Sequence, residues 1–285
     1  MKRVLLIGGG KFLGYWTAKL LSESGFELTF FNLGNSNNSE FSSFEHVRGN
    51  RRDPHFKEFF KKNFFDVVID FCAYSPIDLV NSRYINCNHY VLISSVAVYS
   101  PAIKSFCAED GLKVISKSEI GKLSNEKELS YGMLKYLVEL KSIEIFENLL
   151  TLRPAIILGH KDYTNRLSKY LEFSDNRILL PDIKDMPFQY IDVKDVAKFI
   201  ELAISKKFIG EFNLVAKSLS RDCFFEILAE VHAKKIVYTK SYKISDYPLH
   251  ENELNSGIRT LSSDKALQHG LLVSPIHKTL SYYST

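Results

Sequence analysis

The sequence predicts an α/β protein in which a doubly wound parallel sheet is followed by a smaller C-terminal α/β lobe. Three observations carry this. Short leucine-rich and β-branched runs alternate with stretches of helical apolar spacing through the first half; the runs are apolar along their whole length; and three consecutive glycines join the first run to the first helix. Strands apolar on both sides must be covered on both faces, which parallel strands linked by right-handed helical crossovers provide. With 285 residues and 45% hydrophobic content, the chain can bury a core for one such domain and an appended lobe.

Residues 3–7 (RVLLI) read as the first strand, stopped by Gly8-Gly9-Gly10. Apolar residues at helical spacing over 12–24, ended by Gly25, complete a strand, turn and helix. Residues 28–31 repeat the buried-strand pattern, and the Ser/Asn-rich stretch 35–43 is expected as a surface loop. A polar helix over 55–62 and strands over 66–71 (DVVIDF) and 90–94 (YVLIS) continue the alternation. From Tyr131 an amphipathic helix is expected to about residue 148, followed by a strand over 149–153. Beyond it the elements shorten. We therefore divide the chain into a main domain, 1–158, to which segments near 188–215 return, and a lobe, 159–285.

Composition narrows the function classes. The apolar run from Val4 to Ile7 is too short for a signal-peptide core or a membrane span, so a cytoplasmic protein without membrane contact is expected. A net charge of +4 with mixed signs falls short of the basic face of a dedicated nucleic-acid binder. Cys72, Cys87, Cys107 and Cys223 form no CxxC pair, read as buried apolar residues, and suggest no metal site.

The first chemical signal is Gly8-Gly9-Gly10-Lys11-Phe12-Leu13-Gly14, lying between a strand and a helix. Glycine lets backbone approach a pyrophosphate, and the helix that follows offers unpaired N–H groups and the positive end of its dipole. A tight βα turn alone would not need three glycines, whose conformational entropy is costly. The second signal is Ser95, just past a strand, with Tyr131 and Lys135 four residues apart on one helix. That spacing puts the phenol and the ammonium on one face. Bringing a phenol from a pKa near 10 to a proton-transfer group near pH 7 takes roughly 4 kcal/mol. A neighbouring ammonium, a bound nicotinamide ring and partial desolvation share that, while Ser95 holds the substrate oxygen.

Further stretches fit the same scheme: residues 49–53 (GNRRD), 66–74 (DVVIDFCAY), 94–99 (SSVAVY), 152–159 (LRPAIILG), 190–197 (YIDVKDVA) and 210–214 (GEFNL). With the glycine turn and the YGMLK segment, they resemble the extended short-chain dehydrogenase/reductases of the NAD-dependent epimerase/dehydratase type over nearly the whole chain. The resemblance implies a Rossmann-type domain, a catalytic set of Ser95, Tyr131 and Lys135, and a substrate-gripping lobe. It implies cofactor contacts from Gly8, Gly10, Lys11, Phe12, Leu13, Gly14, Asn32, Asn50, Arg51, Ala73, Tyr131, Lys135 and Pro154. Tyr74, His160, Arg166, Gln189 and Arg259 are candidates for the substrate cleft from their nearness to matched motifs. A homodimer through the helix beginning at Tyr131 is also implied, although Leu134, Leu137 and Val138 fit core packing equally well.

Departures from the family pattern shape the reaction. Lys11 stands where the middle glycine usually does, and Asn32 replaces the acidic residue that normally holds the adenosine ribose. Lys11 and Arg51 are expected near a 2′-phosphate, which favours NADP over NAD. Val96 and Ala97 replace the Asp-Glu pair of sugar-nucleotide 4,6-dehydratases, which argues against water elimination. Phe188 replaces an arginine that in many relatives binds a nucleotide-sugar pyrophosphate. The expected activity is hydride transfer to or from a carbonyl or secondary alcohol, as net reduction or epimerisation, on a small molecule such as a nucleotide sugar. The alternative is a non-catalytic dinucleotide-binding protein that binds RNA or a protein partner. Such a protein has no need of Ser95, Tyr131 and Lys135 together.

Overall fold

The computed structural model describes residues 2–34, 39–100, 106–111, 113–116, 129–172, 176–181, 187–239 and 260–283. Its frame is a parallel sheet built from β1 (Arg3–Ile7), β2 (Glu27–Asn32), β3 (Glu45–Arg48), β4 (Phe64–Asp70), β5 (Asn86–Ile93), β7 (Leu149–Pro154) and β12 (Gly210–Leu214), with the short β6 (Phe106–Cys107) lying between β5 and β7 in the sequence. Among the described residues this sheet has seven strands in the order β12-β7-β5-β4-β1-β2-β3. The order runs outward from β1 in both directions, so a crevice opens at the carboxyl ends where the winding reverses.

Continuous apolar strands bury both faces, as expected. Val4 and Leu6 of β1 face one core with Leu28, Ile69 and Leu152, while Leu5 and Ile7 face the other with Val68, Tyr90 and Leu92. The first face is covered by α1 (Leu13–Glu23), packed on the helix Val193–Lys206. On the second lie α2 (Lys57–Lys62) and α3 (Tyr131–Ile145). Leu134 and Leu137 of α3 are half-buried and Val138 sits in the core.

Local chemistry explains where the elements differ from expectation. Pro54–Phe56 is a 3-10 turn whose start is capped by Asp53, so α2 begins only at Lys57. The helix from Tyr131 stops at Ile145, because Phe146 turns extended and stacks on Tyr90 with ring centres 3.7 Å apart. The polar strand β3 lies at the sheet edge, where one face needs no apolar cover, so it escaped the hydrophobic pattern. Within the expected loop 35–43, Ser39–Phe41 forms a 3-10 turn that buries Phe41; residues 35–38 lie outside the described residues.

Outside the main sheet, β8 (Ile156–Leu158) lies beside β11 (Tyr190–Asp192), β9 (Arg177–Pro181) beside β14 (Lys235–Thr239), and β10 (Pro187–Phe188) beside β13 (Leu219–Ser220). β15 (Thr260–Leu261) pairs with β6 and brings Leu261 to the crevice. Among the described residues no helix is long and apolar enough to cross a membrane, and no group of three or more His, Cys, Asp or Glu is placed to hold a metal.

Candidate active site

The crevice is a cleft of about 980 Å³. Gly8, Gly10, Lys11, Phe12, Leu13 and Gly14 form its floor at the start of α1. Gly8 has φ +82, and a Cβ there would lie 2.8 Å from Cys72 Sγ; a Cβ on Gly14 would lie 2.6 Å from Gly9 Cα. The first glycine thus makes the turn and the last lets the helix sit on it, leaving backbone open to an anion at the helix start. This is the fit expected for a dinucleotide pyrophosphate. Lys11 is exposed, its Nζ 5.5 Å from the centre of the Tyr163 ring.

Ser95, Tyr131 and Lys135 converge on the same cleft. Ser95 follows β5, and its hydroxyl accepts a hydrogen bond of 3.1 Å from Ala97 N, capping the turn Val96–Val98. Tyr131 opens α3, whose first turn is capped by Ser130 accepting from Met133 N. Gly132 brings helix and turn together, since a Cβ there would lie 2.0 Å from Ala97 O. The Tyr131 side chain is half exposed to the cleft. Burial beneath the cleft walls raises its pKa, while Ser95 and the charge of Arg166 pull it back down.

Lys135 is only 2% exposed, and Nζ donates to Ala73 O at 2.9 Å and Ile93 O at 2.7 Å. Burial lowers its pKa to about 8. Ala73, expected as a cofactor contact, is fully buried and does not line the cleft; it meets the site only through the carbonyl that holds Lys135. Below the site, Glu139, one turn along α3, accepts from Ser94 Oγ at 2.6 Å and from Arg153 Nε and Nη2 at 2.9 and 2.8 Å. The pair fixes α3 against the ends of β5 and β7.

Asn32 at the end of β2, Asn50 after β3 and Pro154 at the end of β7 also line the cleft. Arg51 corrects the expectation of a 2′-phosphate ligand. It lines the same cleft, but its guanidinium is spent on Asp70 and on Ser82 Oγ, so it is not free to take a second anion. Burial pushes the Asp70 carboxyl up, yet Arg51, the Tyr90 phenol and Cys72 N together hold it below the usual carboxylate value.

Of the substrate-side candidates, Tyr74, Arg166 and Gln189 line the cleft. Tyr74 is 52% exposed, and burial with the nearby Tyr163 pushes its pKa up to about 12. Gln189 is committed to the fold, because its amide exchanges hydrogen bonds of 3.0 and 2.8 Å with the Leu261 backbone. His160 does not reach the lining; its ring stacks on Tyr282 and leans on Trp16, whose Nε1 donates to His160 O. Arg259 lies outside the described residues. Sequence reasoning missed Gly132, Asp70, Glu139 and Tyr163, which line or brace the site through pairings distant in sequence.

No family model matches the chain. A chloroplast stem-loop binding protein of Arabidopsis thaliana is 26% identical over 179 residues, 57% of this chain and 44% of that protein, so the match spans less than half of the relative's length. Among solved structures, the Bordetella bronchiseptica enzyme WbmH in complex with NAD+ superposes with TM-score 0.74 at 14% identity, covering 99% of this chain and 97% of that one. A UDP-glucuronic acid 4-epimerase from Bacillus cereus in complex with NAD gives 0.71 at 17% identity over 98% and 96%. A UDP-N-acetylglucosamine 4-epimerase from Methanobrevibacter ruminantium M1 gives 0.72 at 16% over 99% and 98%. Likeness of this extent at such low identity establishes the fold, and it is the fold that the sequence resemblance implied.

Proposed function

We propose that this chain, which carries the extended short-chain dehydrogenase/reductase fold, is an NAD(P)-dependent oxidoreductase or epimerase acting on a carbonyl or secondary alcohol. The observation that carries the reading is the convergence of Ser95, Tyr131 and Lys135 on one cleft with the glycine turn. A bound nicotinamide ring supplies or accepts the hydride. The Tyr131 phenol gives the proton to the substrate oxygen or takes it, and the Ser95 hydroxyl, half-buried across the cleft, orients that oxygen. The Lys135 ammonium, held by two carbonyls, keeps positive charge beneath the reaction centre. Arg166, half-buried in the cleft and without a hydrogen bond or ion pair among the described residues, suits an anionic substrate group. Nucleotide sugars, which the solved relatives' names include, carry such groups. Asn32 and Lys11 favour NADP over NAD.

The test is Tyr131→Phe, assayed against UDP-sugars and simple carbonyls. We expect turnover to be lost while NADPH affinity stays within about twofold of the parent. Retained turnover rules the mechanism out.

A second reading, RNA binding, is favoured by the similarity to a stem-loop binding protein. It is supported by a cluster of aromatic and basic side chains: Lys194 Nζ lies 4.3 Å from the Trp16 ring centre and 4.7 Å from that of Tyr282, and Lys161 Nζ lies 4.1 Å from that of Tyr15. Interleaved cations and rings suit phosphate contact and base stacking. A salt-sensitive gel shift with a stem-loop RNA that is lost in Lys161→Ala/Lys194→Ala, together with no turnover on any carbonyl, would make this the primary reading.

A further inference from the structure

We propose that Arg48, with Asn32, forms the subsite for the 2′-phosphate of NADP. The inference rests on the dinucleotide reading above. Arg48 ends β3, and its register partner across the sheet is Asn32, the last residue of β2. That strand end is where a doubly wound sheet holds the adenosine ribose, through a carboxylate for a 2′-hydroxyl or a nearby arginine for a 2′-phosphate.

The turn after β2 is shaped around this arginine. Gly34 has φ +84, and a Cβ on it would lie 2.4 Å from Arg48 Nε and 2.9 Å from Arg48 Cζ, so only glycine lets the guanidinium lie across the turn. Arg48 Nε donates to Leu33 O at 3.2 Å, which fixes the side chain beside a residue that lines the cleft. Arg48 is exposed and makes no ion pair among the described residues. It thus differs from Arg51 and Arg52, which are neutralised by Asp70 and Asp78.

Asn32 completes the argument. Its Oδ1 accepts from Gly34 N at 2.8 Å and its backbone oxygen accepts from Gly49 N at 2.8 Å. One lone pair of that oxygen is thus taken, and the amide offers the cleft its NH2 donors without any negative charge. An uncharged NH2 donor beside a guanidinium with no ion pair among the described residues matches a phosphate, whereas the 2′-hydroxyl of NAD is the usual partner of a carboxylate.

The test is calorimetric titration of the whole protein with NADPH, NADH, adenosine 2′,5′-bisphosphate and 5′-AMP. We expect the bisphosphate to bind at least about tenfold tighter than 5′-AMP, and NADPH tighter than NADH by a similar factor. Arg48→Met, on an exposed side chain, should erase both differences and leave NADH affinity unchanged, while Asn32→Asp should invert the preference. If NADPH binds and Arg48→Met leaves its advantage intact, or if the parent binds NADH as tightly as NADPH, the subsite is overturned and the dinucleotide site stands. If none of the four binds, the dinucleotide reading falls with it.

Discussion

Arg51 and Asp70 form a two-pronged ion pair, 2.7 and 2.6 Å long, with the arginine 7% exposed and the aspartate fully enclosed. The Tyr90 hydroxyl donates to the same carboxylate at 2.5 Å, and Asn81 Nδ2 donates to Arg51 O at 2.9 Å. The pair pins the segment after β3 to the end of β4, and so holds Asn50 at the cleft. Asp70→Asn leaves the guanidinium buried without its counter-charge, and breaking such a pair costs about 3–5 kcal/mol. We expect that loss in urea unfolding at neutral pH. The sign of the pH effect follows from the lowered native pKa: the contribution is complete above the unfolded pKa and is lost as pH falls through the native value. Parent and variant stabilities should converge in acid, and an unchanged gap there would refute the assignment.

Gly132→Ala tests the joint between Tyr131 and the Ser95 turn. A methyl group 2.0 Å from Ala97 O forces α3 away from the turn. A displacement of about 1 Å costs on the order of 100-fold in rate, and overpacking costs about 1–3 kcal/mol of stability. The expected outcome is a folded protein with normal circular dichroism and a collapsed kcat. Normal kcat would mean that the two segments need not touch.

Lys135 should make cofactor affinity and stability respond to pH in opposite directions. Its native pKa of about 8 lies below the ordinary 10.5. Over that window the unfolded chain binds more protons than the native one, so this residue's contribution to stability rises with pH. Its positive charge in the cleft disappears over the same window. NADPH affinity should therefore fall as pH rises through about 8, and Lys135→Arg, charged throughout, should lack the fall. Titrations between pH 7 and 9.5 decide this; a flat parent profile contradicts it.

What the sequence made legible and what it hid divide along physical lines. Residues 3–7, 66–71 and 90–94 are apolar throughout, and that pattern specifies two-sided burial in any context. Gly8, Gly14 and the four-residue step from Tyr131 to Lys135 are local, so a βα turn and a shared helix face were legible in the sequence, and their order and the family resemblance pointed them to one cleft. β3 was missed because an edge strand needs no apolar face. Arg51 was read as free because nothing local reveals that Asp70, nineteen residues on, takes its charge. His160 was assigned to the cleft by nearness in sequence, yet its ring is drawn aside by Tyr282 from the far end of the chain. Pairing of polar groups across long sequence separations is set by the fold, and composition does not encode it.

The chain's C-terminal end governs the loop over the cleft. Gly159 has φ +127, and Lys161 and Asn165 are left-handed at φ +67 and +54, a region that lysine adopts seldom and asparagine more readily. Tyr283 holds this loop: its hydroxyl accepts from Gly159 N at 2.9 Å and donates to Asp162 Oδ2 at 2.9 Å. The segment it fixes carries Tyr163, Thr164 and Arg166 into the cleft. Tyr283→Phe keeps the ring but leaves both partners unsatisfied, a local loss of about 1–3 kcal/mol. The loop should then open to limited proteolysis and substrate KM should rise several-fold, a larger change than in dinucleotide affinity, because the loop meets the glycine turn through side chains, Tyr163 beside Lys11 and Phe12, and not through the glycine backbone. If proteolysis and KM both match the parent, the loop holds itself without these hydrogen bonds and Tyr283 serves only as a buried core residue.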